Sequence, residues 1–390
     1  MSSAAETPDI RLPFITPEHE LFRRQVRRFV EERVKPAADR WEEDGFVPRD
    51  ILRGMGQLGM LGIRYPAEVG GANWDTVASV ILAEELGRST YGGFAITVLT
   101  QTDTASPHIA TVGSTAQKQR YLPGIVRGEI VVAIAITEPG AGSDVASIRA
   151  SAARAGDAWL VNGTKMFITN GVQADLFVVA VRTNPEVKAT RGISLLLIEK
   201  GTPGLSVGRK LDKMGWRSSD TAELVFEQCR VPMANLLGEV DRGFYTLMQN
   251  VQNERLVLGA QALGEAAAAL ELTVRHVRDR LAFGGHLWDK QVIRQRLAML
   301  CARVTAARHL VYDTAWAHAQ GSDCVKEVSM VKALCGELVN DVMYDCLQFH
   351  GGYGFMRESP IERMYRDARV HSIGGGATEV MLEEIAKRMH

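Results

Sequence analysis

Apolar residues recur every three or four positions along the first third of the chain. The series Leu21, Phe22, Val26, Phe29 and Val30 is one example. On a helix these residues would share one face, and the charged residues between them would face solvent. Patterns of this kind predict helices over 17–35, 49–61, 76–86, 94–112 and 114–126.

Near residue 130 the helical spacing of apolar residues ends. Short runs of β-prone residues follow one another from there up to residue 235. Asn162-Gly163 and Asn170-Gly171 each follow such a run. Asn-Gly pairs in this setting predict hairpin turns. We predict a small antiparallel barrel or sandwich with strands that include 158–161, 165–169, 176–181, 193–198, 205–207 and 222–226.

Beyond residue 236 the helical period returns in longer stretches, which predict an antiparallel four-helix bundle. The order of helices, strands and helices indicates an α+β multidomain fold, and without strand–helix alternation it offers no Rossmann domain. The predicted domains are an N-terminal helical domain (1–130), a middle β domain (131–235) and a C-terminal helical bundle (236–390).

Composition narrows the class of protein. The 45 Lys and Arg residues nearly balance the 46 Asp and Glu residues, so no net field favours nucleic acid or an anionic membrane. The five cysteines show no CxxC spacing, which argues against a zinc site or a disulfide framework and suits a reducing compartment. With no signal-like start and no apolar run of about 20 residues, we predict a cytoplasmic protein without a membrane span.

One loop stands out as candidate chemistry. The apolar run 131–136 is followed by Thr137, Glu138 and a segment rich in Gly, Pro and Ser that ends at Asp144. A buried strand that ends in such a loop exposes backbone N–H groups and hydroxyls at one point, as a flavin or phosphate site requires. The alternative is a simple Gly/Pro turn.

Five segments along the chain form one recognisable pattern: 134–144, 161–171, Phe283-Gly284, 348–355 (QFHGGYGF) and 366–376 (RDARVHSIGGG). Together they resemble the acyl-CoA dehydrogenase family, along essentially the full length of the chain. The active-site pattern is most similar to the isovaleryl-CoA and long-chain branches. The resemblance implies an FAD-dependent oxidoreductase of fatty acid β-oxidation that converts an acyl-CoA to trans-2-enoyl-CoA. It also implies electron-transfer flavoprotein as the partner and a homotetramer.

The resemblance also assigns cofactor-binding residues. Arg280 and Gln291 would reach the pyrophosphate and adenosine end of a neighbouring subunit's FAD, a role that suits the planar donor fork of arginine. Phe167 and Thr169 would share one side of a strand beside the flavin. For Phe167 alone, a place in the core is the simpler interpretation. The full set is Ile134, Ala135, Ile136, Thr137, Ser143, Phe167, Ile168, Thr169, Arg280, Phe283, Gln291, Gln348, Gly351, Gly352, Ala377, Thr378 and Glu379.

The catalytic base departs from the commonest family pattern. Many members have a glutamate where Gly375 stands, and glycine cannot accept a proton. The isovaleryl-CoA and long-chain branches place the glutamate in a segment similar to 253–258, so the resemblance implies Glu254 as the base. From spacing alone, a surface carboxylate beside Arg255 is at least as good an interpretation.

The substrate would be held by residues of both regions. Gly375 keeps the backbone N–H that the family uses on the thioester carbonyl, whereas Ala377 lacks the hydroxyl of the family's threonine. Neutral Ala95 argues against a dicarboxyl substrate. The residues implied for acyl-CoA binding are Ser143, Tyr245, Gln252, Asn253, Arg255, Gly375 and Gly376.

Two alternatives stay open at this point. An acyl-CoA oxidase or a flavin monooxygenase could use the same fold. Because Gly375 and Ala377 both depart from the family pattern, a non-catalytic acyl-CoA-binding homologue is the alternative outside the enzyme class.

Overall fold

The computed structural model describes residues 12–389. Its N-terminal domain is helical, as predicted, and side chains begin several of its helices. Thr16 and Ser114 each close a capping box, and Asp75 accepts the Ala78 N–H, which satisfies amides that a helix start leaves free. The helices are α1 (Pro17–Phe29), α2 (Ala38–Asp44), α3 (Arg49–Gln57), α4 (Thr76–Gly87), α5 (Gly92–Leu99), α6 (Ser106–Val112) and α7 (Thr115–Val126).

The prediction of one continuous helix over 94–112 is wrong. A π-helical turn, Thr100–Ala105, separates α5 from α6, and Pro107 follows it. Proline has no N–H to donate to the carbonyl four residues earlier, which is that of Asp103. This carbonyl instead accepts hydrogen bonds from the side chains of Asn250 (2.7 Å) and Asn253 (3.3 Å). The interruption therefore joins the N-terminal domain to the C-terminal one.

The middle domain is one eight-stranded sheet in the order β6-β7-β3-β2-β4-β5-β8, with β1 beside β4. Most pairs are antiparallel as predicted, but β1 and β4 run parallel, and β2 meets β4 in a single parallel pair. The strands are β1 (Val132–Ala135), β2 (Ser151–Ala155), β3 (Ala158–Thr169), β4 (Leu176–Arg182), β5 (Ile193–Glu199), β6 (Leu205–Lys210), β7 (Thr221–Pro232) and β8 (Leu236–Leu237).

Burial on β4 shows that the sheet folds into a sandwich. Phe177 and Val179 belong to the same apolar cluster as Trp159 and Phe226 of β3 and β7. Residues of the alternate face, such as Val178, belong to a second cluster with the helices α6 and α7. The β4–β5 layer is therefore covered on both faces, which explains its unbroken apolar sequence.

The predicted turn at Asn162-Gly163 is wrong. Strand β3 runs through this pair and stays paired with β7, with register shifts between Val161 and Gly163 and between Lys165 and Ile168. Gly163 has φ of +140°, a conformation open to glycine. The pair is a β-bulge, and β3 turns only at Asn170-Gly171.

The C-terminal domain is the predicted helical bundle, with a short hairpin between its first two helices. By length and composition α8 could cross a membrane, but 78% of its most apolar window is buried inside the fold, as in a core helix. The elements are α8 (Gly243–Asp279), β9 (Leu281–Ala282), β10 (Gly285–His286), α9 (Gln291–Ala319), α10 (Val325–His350), α11 (Pro360–Ala368) and α12 (Thr378–Ala386).

Candidate active site

The candidate base and the glycine loop that replaces the usual base lie against the same part of α8. A Cβ atom added to Gly375 would stand 2.3 Å from Cδ1 of Leu258. Leu258 is one helical turn beyond Glu254. The fold thus brings together two positions that are 121 residues apart in the sequence.

The environment of Glu254 suits a general base. Burial raises the pKa of its carboxyl to about 8, against the opposing effects of Arg255 and a hydrogen bond from Thr104. The charge of Asp103 raises the pKa further. A base with a pKa near the working pH combines a useful ionised fraction with basicity. Glu254 is partly exposed, and its raised pKa distinguishes it from a fully solvated carboxylate, so its assignment as the base stays a prediction.

Asp103 and Thr104 are neighbours of Glu254 that sequence reasoning missed, and both affect its pKa. Both lie in the π-helical turn, and the buried Asp103 carboxylate accepts from Asn253 (3.0 Å) and Thr102 (2.6 Å). Burial raises the pKa of Asp103 as well. The available signal was the polar run 100–106 (TQTDTAS), which contains the carboxylate, precedes Pro107 and interrupts the apolar pattern of the predicted helix.

The loop after β1 is held by a buried ion pair. The Lys165 ammonium donates to the Glu138 carboxylate (2.8 Å) and to the Ile136 carbonyl (2.9 Å). Glu138 also accepts the N–H groups of Arg149 and Ala150. Glu138 therefore shapes the loop, and Lys165, which sequence reasoning also missed, fixes the loop to β3.

This arrangement exposes one face of the strand end. Ile134, Ile136 and Thr137 are partly exposed, whereas the Ala135 side chain is fully buried. Ala135 can thus offer a ligand only its backbone. Ser143, further along the loop, is exposed.

The end of β3 presents Phe167 outward. Its side chain is 65% exposed and its φ is +62°, a conformation that a bulky residue rarely adopts. Ile168 is buried in the core and Thr169 is partly exposed. The interpretation of Phe167 as a core aromatic is therefore wrong, and its ring is available to a ligand.

The start of α12 offers a further unpartnered polar group. Thr378 is buried, and its hydroxyl has no hydrogen-bond partner among residues 12–389. A buried hydroxyl without a partner costs free energy, so a polar ligand atom fits here. Ala377 is partly exposed and Glu379 is exposed.

Comparison with known proteins identifies the fold. Models of the acyl-CoA dehydrogenase N-terminal, middle and C-terminal domains match residues 16–129, 133–229 and 241–390. The chain belongs to the acyl-CoA dehydrogenase family. The predicted family, fold class and oxidoreductase class are thereby confirmed.

Individual relatives agree with this family. The mitochondrial long-chain specific acyl-CoA dehydrogenase of Rattus norvegicus is 40% identical over 99% of this chain and 90% of its own length. An acyl-CoA dehydrogenase structure from Geobacillus kaustophilus has a TM-score of 0.93 at 41% identity, covering 97% of this chain and 100% of that one. A chain in the structure of the electron transferring flavoprotein of Acidaminococcus fermentans also has a TM-score of 0.93, at 33% identity, covering 98% of this chain and 99% of that one.

The remaining cofactor positions of the acyl-CoA dehydrogenase pattern lie at the far end of α8. Arg280 follows Glu254 by 26 residues, or about 39 Å along a helix. The rings of His276 and His350 stack at 4.3 Å and bring the end of α10 beside Arg280. The exposed or half-buried residues gathered at this end are Arg280, Phe283, Gln291, Gln348, Gly351 and Gly352.

The predicted substrate residues divide into two groups. Gln252 is engaged with Asp323 and the Cys324 N–H, and Asn253 with Asp103. Tyr245 is partly exposed, and Arg255 lies against Gly376, 3.4 Å from the place of an added Cβ. In the first group the amide N–H groups already have protein partners, whereas the second group borders the loop or the surface.

Proposed function

We propose that this protein is an FAD-dependent acyl-CoA dehydrogenase that forms trans-2-enoyl-CoA and passes electrons to electron-transfer flavoprotein. The observation that carries the proposal is the position of Glu254 on α8, one helical turn before Leu258, the residue that lies against Gly375. The pKa of its carboxyl is raised to about 8. A non-catalytic homologue would not need a carboxylate with a raised pKa at this place.

Glu254 removes the α-proton of the thioester. The Gly375 N–H donates to the thioester carbonyl and stabilises the negative charge that develops there. FAD, when bound, would supply the acceptor for the β-hydrogen, which leaves as a hydride. The residues that would hold it are those around Thr137, Phe167 and Thr378, where the orphan hydroxyl and the exposed ring fit its polar edge and flat face.

The surface around Tyr245, near the start of α8, suits the nucleotide of coenzyme A. The Tyr245 hydroxyl is hydrogen-bonded by Arg191 and Thr190, which lowers its pKa. The Arg242 guanidinium lies 4.5 Å from the centre of the same ring. Neither arginine forms an ion pair with residues 12–389, so both charges are available to phosphate groups.

Anaerobic mixing with acyl-CoA tests the proposal. We expect flavin absorbance to bleach, with kcat/KM rising as the pH approaches about 8, because only ionised Glu254 accepts the proton. A panel of straight, branched and aromatic acyl groups would identify the substrate. Tight binding without bleaching by any of them would refute the dehydrogenase. Rapid reoxidation of the reduced flavin by oxygen, with peroxide formed, would indicate an oxidase instead.

We also propose a cytoplasmic homotetramer, which the exposed apolar end of the bundle supports. Phe283 is 91% exposed and Phe355 79% exposed, beside Arg280 and far from Glu254. A second subunit that covers this surface would place Arg280 on its own cofactor. All five cysteines are free, in keeping with a reducing compartment.

Light scattering tests this assembly. We expect a particle of four 42.8 kDa chains, and we expect Arg280→Ala to weaken FAD binding about tenfold, since one charge-assisted hydrogen bond contributes about 1.5 kcal/mol. Arg230→Ala, which removes an exposed arginine of the middle domain, is the control. A monomer that binds FAD as tightly as the wild type after Arg280→Ala would contradict the proposal.

A further inference from the structure

A buried lysine joins the two ends of the glycine loop. Lys332 lies on α10 and is 2% exposed. Its ammonium donates to the carbonyl of His371 (2.5 Å) and to the carbonyl of Gly376 (3.0 Å). The segment between these carbonyls contains Gly375.

This segment needs such a restraint. Residues 374–376 are all glycine, and Gly375 and Gly376 have φ of +67° and +110°. Glycines have the largest conformational freedom to lose when a loop is ordered. Among residues 12–389, neither the N–H nor the carbonyl of Gly375 makes a hydrogen bond. Its N–H is therefore free for a ligand, and its position depends on the residues at either end.

Burying the Lys332 ammonium costs desolvation free energy, which indicates that its charge has a role in the fold or in the site. No carboxylate among the described residues pairs with it, and burial together with the nearby Arg255 lowers the pKa of its ammonium to about 8. An apolar residue would fill this place in α10 at a lower cost. The ammonium is compensated by the two loop carbonyls.

We propose that Lys332 is a positioning residue for proton abstraction, which holds the Gly375 N–H on the thioester carbonyl. The inference rests on the proposed dehydrogenase function. In the step concerned, the α-proton passes from carbon to the Glu254 carboxylate. The electron pair of that C–H bond moves into the thioester, and its charge collects on the carbonyl oxygen. A loop fixed at both ends keeps the donor in place before the charge forms.

A substrate analogue that can undergo proton abstraction but not hydride transfer tests the positioning role of Lys332 separately from the later step. An acyl-CoA with sulphur in place of the β-carbon can lose its α-proton but has no β-hydride to give. Bound to oxidised flavoprotein, its enolate is measured as a long-wavelength absorbance band, and a pH titration gives the apparent pKa of the bound analogue. The proteins compared are the wild type, Lys332→Met, Lys332→Gln and the control Lys213→Met. Lys213 is a partly exposed lysine whose pKa burial likewise lowers to about 8, and its ammonium donates to the Ser219 carbonyl and the Thr221 hydroxyl instead of the glycine loop.

We expect Lys332→Met to raise the apparent pKa of the analogue by about one to two units and to slow flavin reduction by acyl-CoA about 100-fold, the usual cost of one misplaced oxyanion donor. FAD content and analogue affinity should stay within about threefold of the wild type. Lys332→Gln, which keeps a shorter neutral donor, should lie between the wild type and Lys332→Met. It provides the same test if the methionine variant does not fold. Lys213→Met should titrate as the wild type does.

Two outcomes would overturn different conclusions. If the wild type deprotonates the analogue and both Lys332 variants give the same pKa as the wild type, Lys332 does not position the loop. If the wild type binds the analogue but forms no enolate band at any pH, the proposed dehydrogenase function itself is wrong.

Discussion

Replacing Glu254 by glutamine is expected to slow flavin reduction by acyl-CoA by about 10³- to 10⁴-fold, the upper part of the range for a general base. Glutamine keeps the size and the hydrogen-bonding capacity of the side chain but cannot accept the proton. FAD should remain bound, because Glu254 does not belong to the flavin wall around Thr137 and Phe167. Stopped-flow absorbance under anaerobic conditions measures the rate.

Asp103→Asn is the matched control for this variant. Asp103 is the neighbouring buried carboxylate, and its charge raises the pKa of Glu254. The asparagine variant should therefore shift the rise of kcat/KM to lower pH and stay within about tenfold of the wild-type limiting rate. If Asp103→Asn abolishes bleaching while Glu254→Gln does not, Asp103 is the base and our assignment is wrong.

The same glutamine variant has a stability effect of known sign. The pKa of Glu254 lies above its ordinary value in the folded state, so its contribution to stability is present at low pH and is lost as the pH rises through about 8. Glu254→Gln should therefore raise the free energy of unfolding above that pH, by about 1–3 kcal/mol, and change it little at pH 5. Denaturant melts at the two pH values measure the difference.

Replacing Lys165 by methionine is expected to lower the free energy of unfolding by about 3–5 kcal/mol, the usual cost of removing one partner from a buried ion pair. Glu138 would keep its charge in the interior with only the N–H groups of Arg149 and Ala150 as donors. The Ile136 carbonyl would also lose its partner. Because this loop forms one wall of the proposed flavin site, FAD affinity should fall together with stability.

Urea melts of the holoenzyme and of FAD-free protein measure both effects. The control is Arg230→Met, which removes an ion pair of similar length (2.6 Å to Asp157) whose side chains are exposed, and which should cost less than about 1 kcal/mol. Adding Glu138→Gln to Lys165→Met should restore part of the loss, since it removes the unpaired charge. A change below about 1 kcal/mol for Lys165→Met would show that the pair does not hold the loop.

The periodic elements were predictable because their signals are local. Helical spacing and β-prone runs depend on neighbours within one or two turns, and they identified the three domains and the bundle. The wrong predictions arose where one local sequence pattern is compatible with two backbone structures. Asn162-Gly163 has the same composition in a turn and in a bulge, and only the continued pairing of β3 with β7 distinguishes the two.

From the sequence, the candidate site was predictable only as a set of residues, without the contacts between them. The family resemblance identified Glu254 and the flavin loop, and their roles stay predictions that the experiments above test. The resemblance did not identify Asp103, Thr104, Lys165 or Lys332, because none of these residues was assigned a role by the motifs that carried it. Lys332 is a charged residue in an otherwise apolar stretch, whereas Asp103, Thr104 and Lys165 stand beside other polar residues, so the sequence does not say which of them meet a buried partner.

The sequence by itself determined the family, the order of helical and β domains, and the residue type available as the base. Only the tertiary structure decided the basicity of Glu254, the restraint on the loop at Glu138 and the two carbonyls that Lys332 holds. These properties depend on desolvation and on contacts such as Asn253 with Asp103, 150 residues apart. Such contacts form when the chain folds, and the hydrophobic pattern does not encode which polar groups will meet.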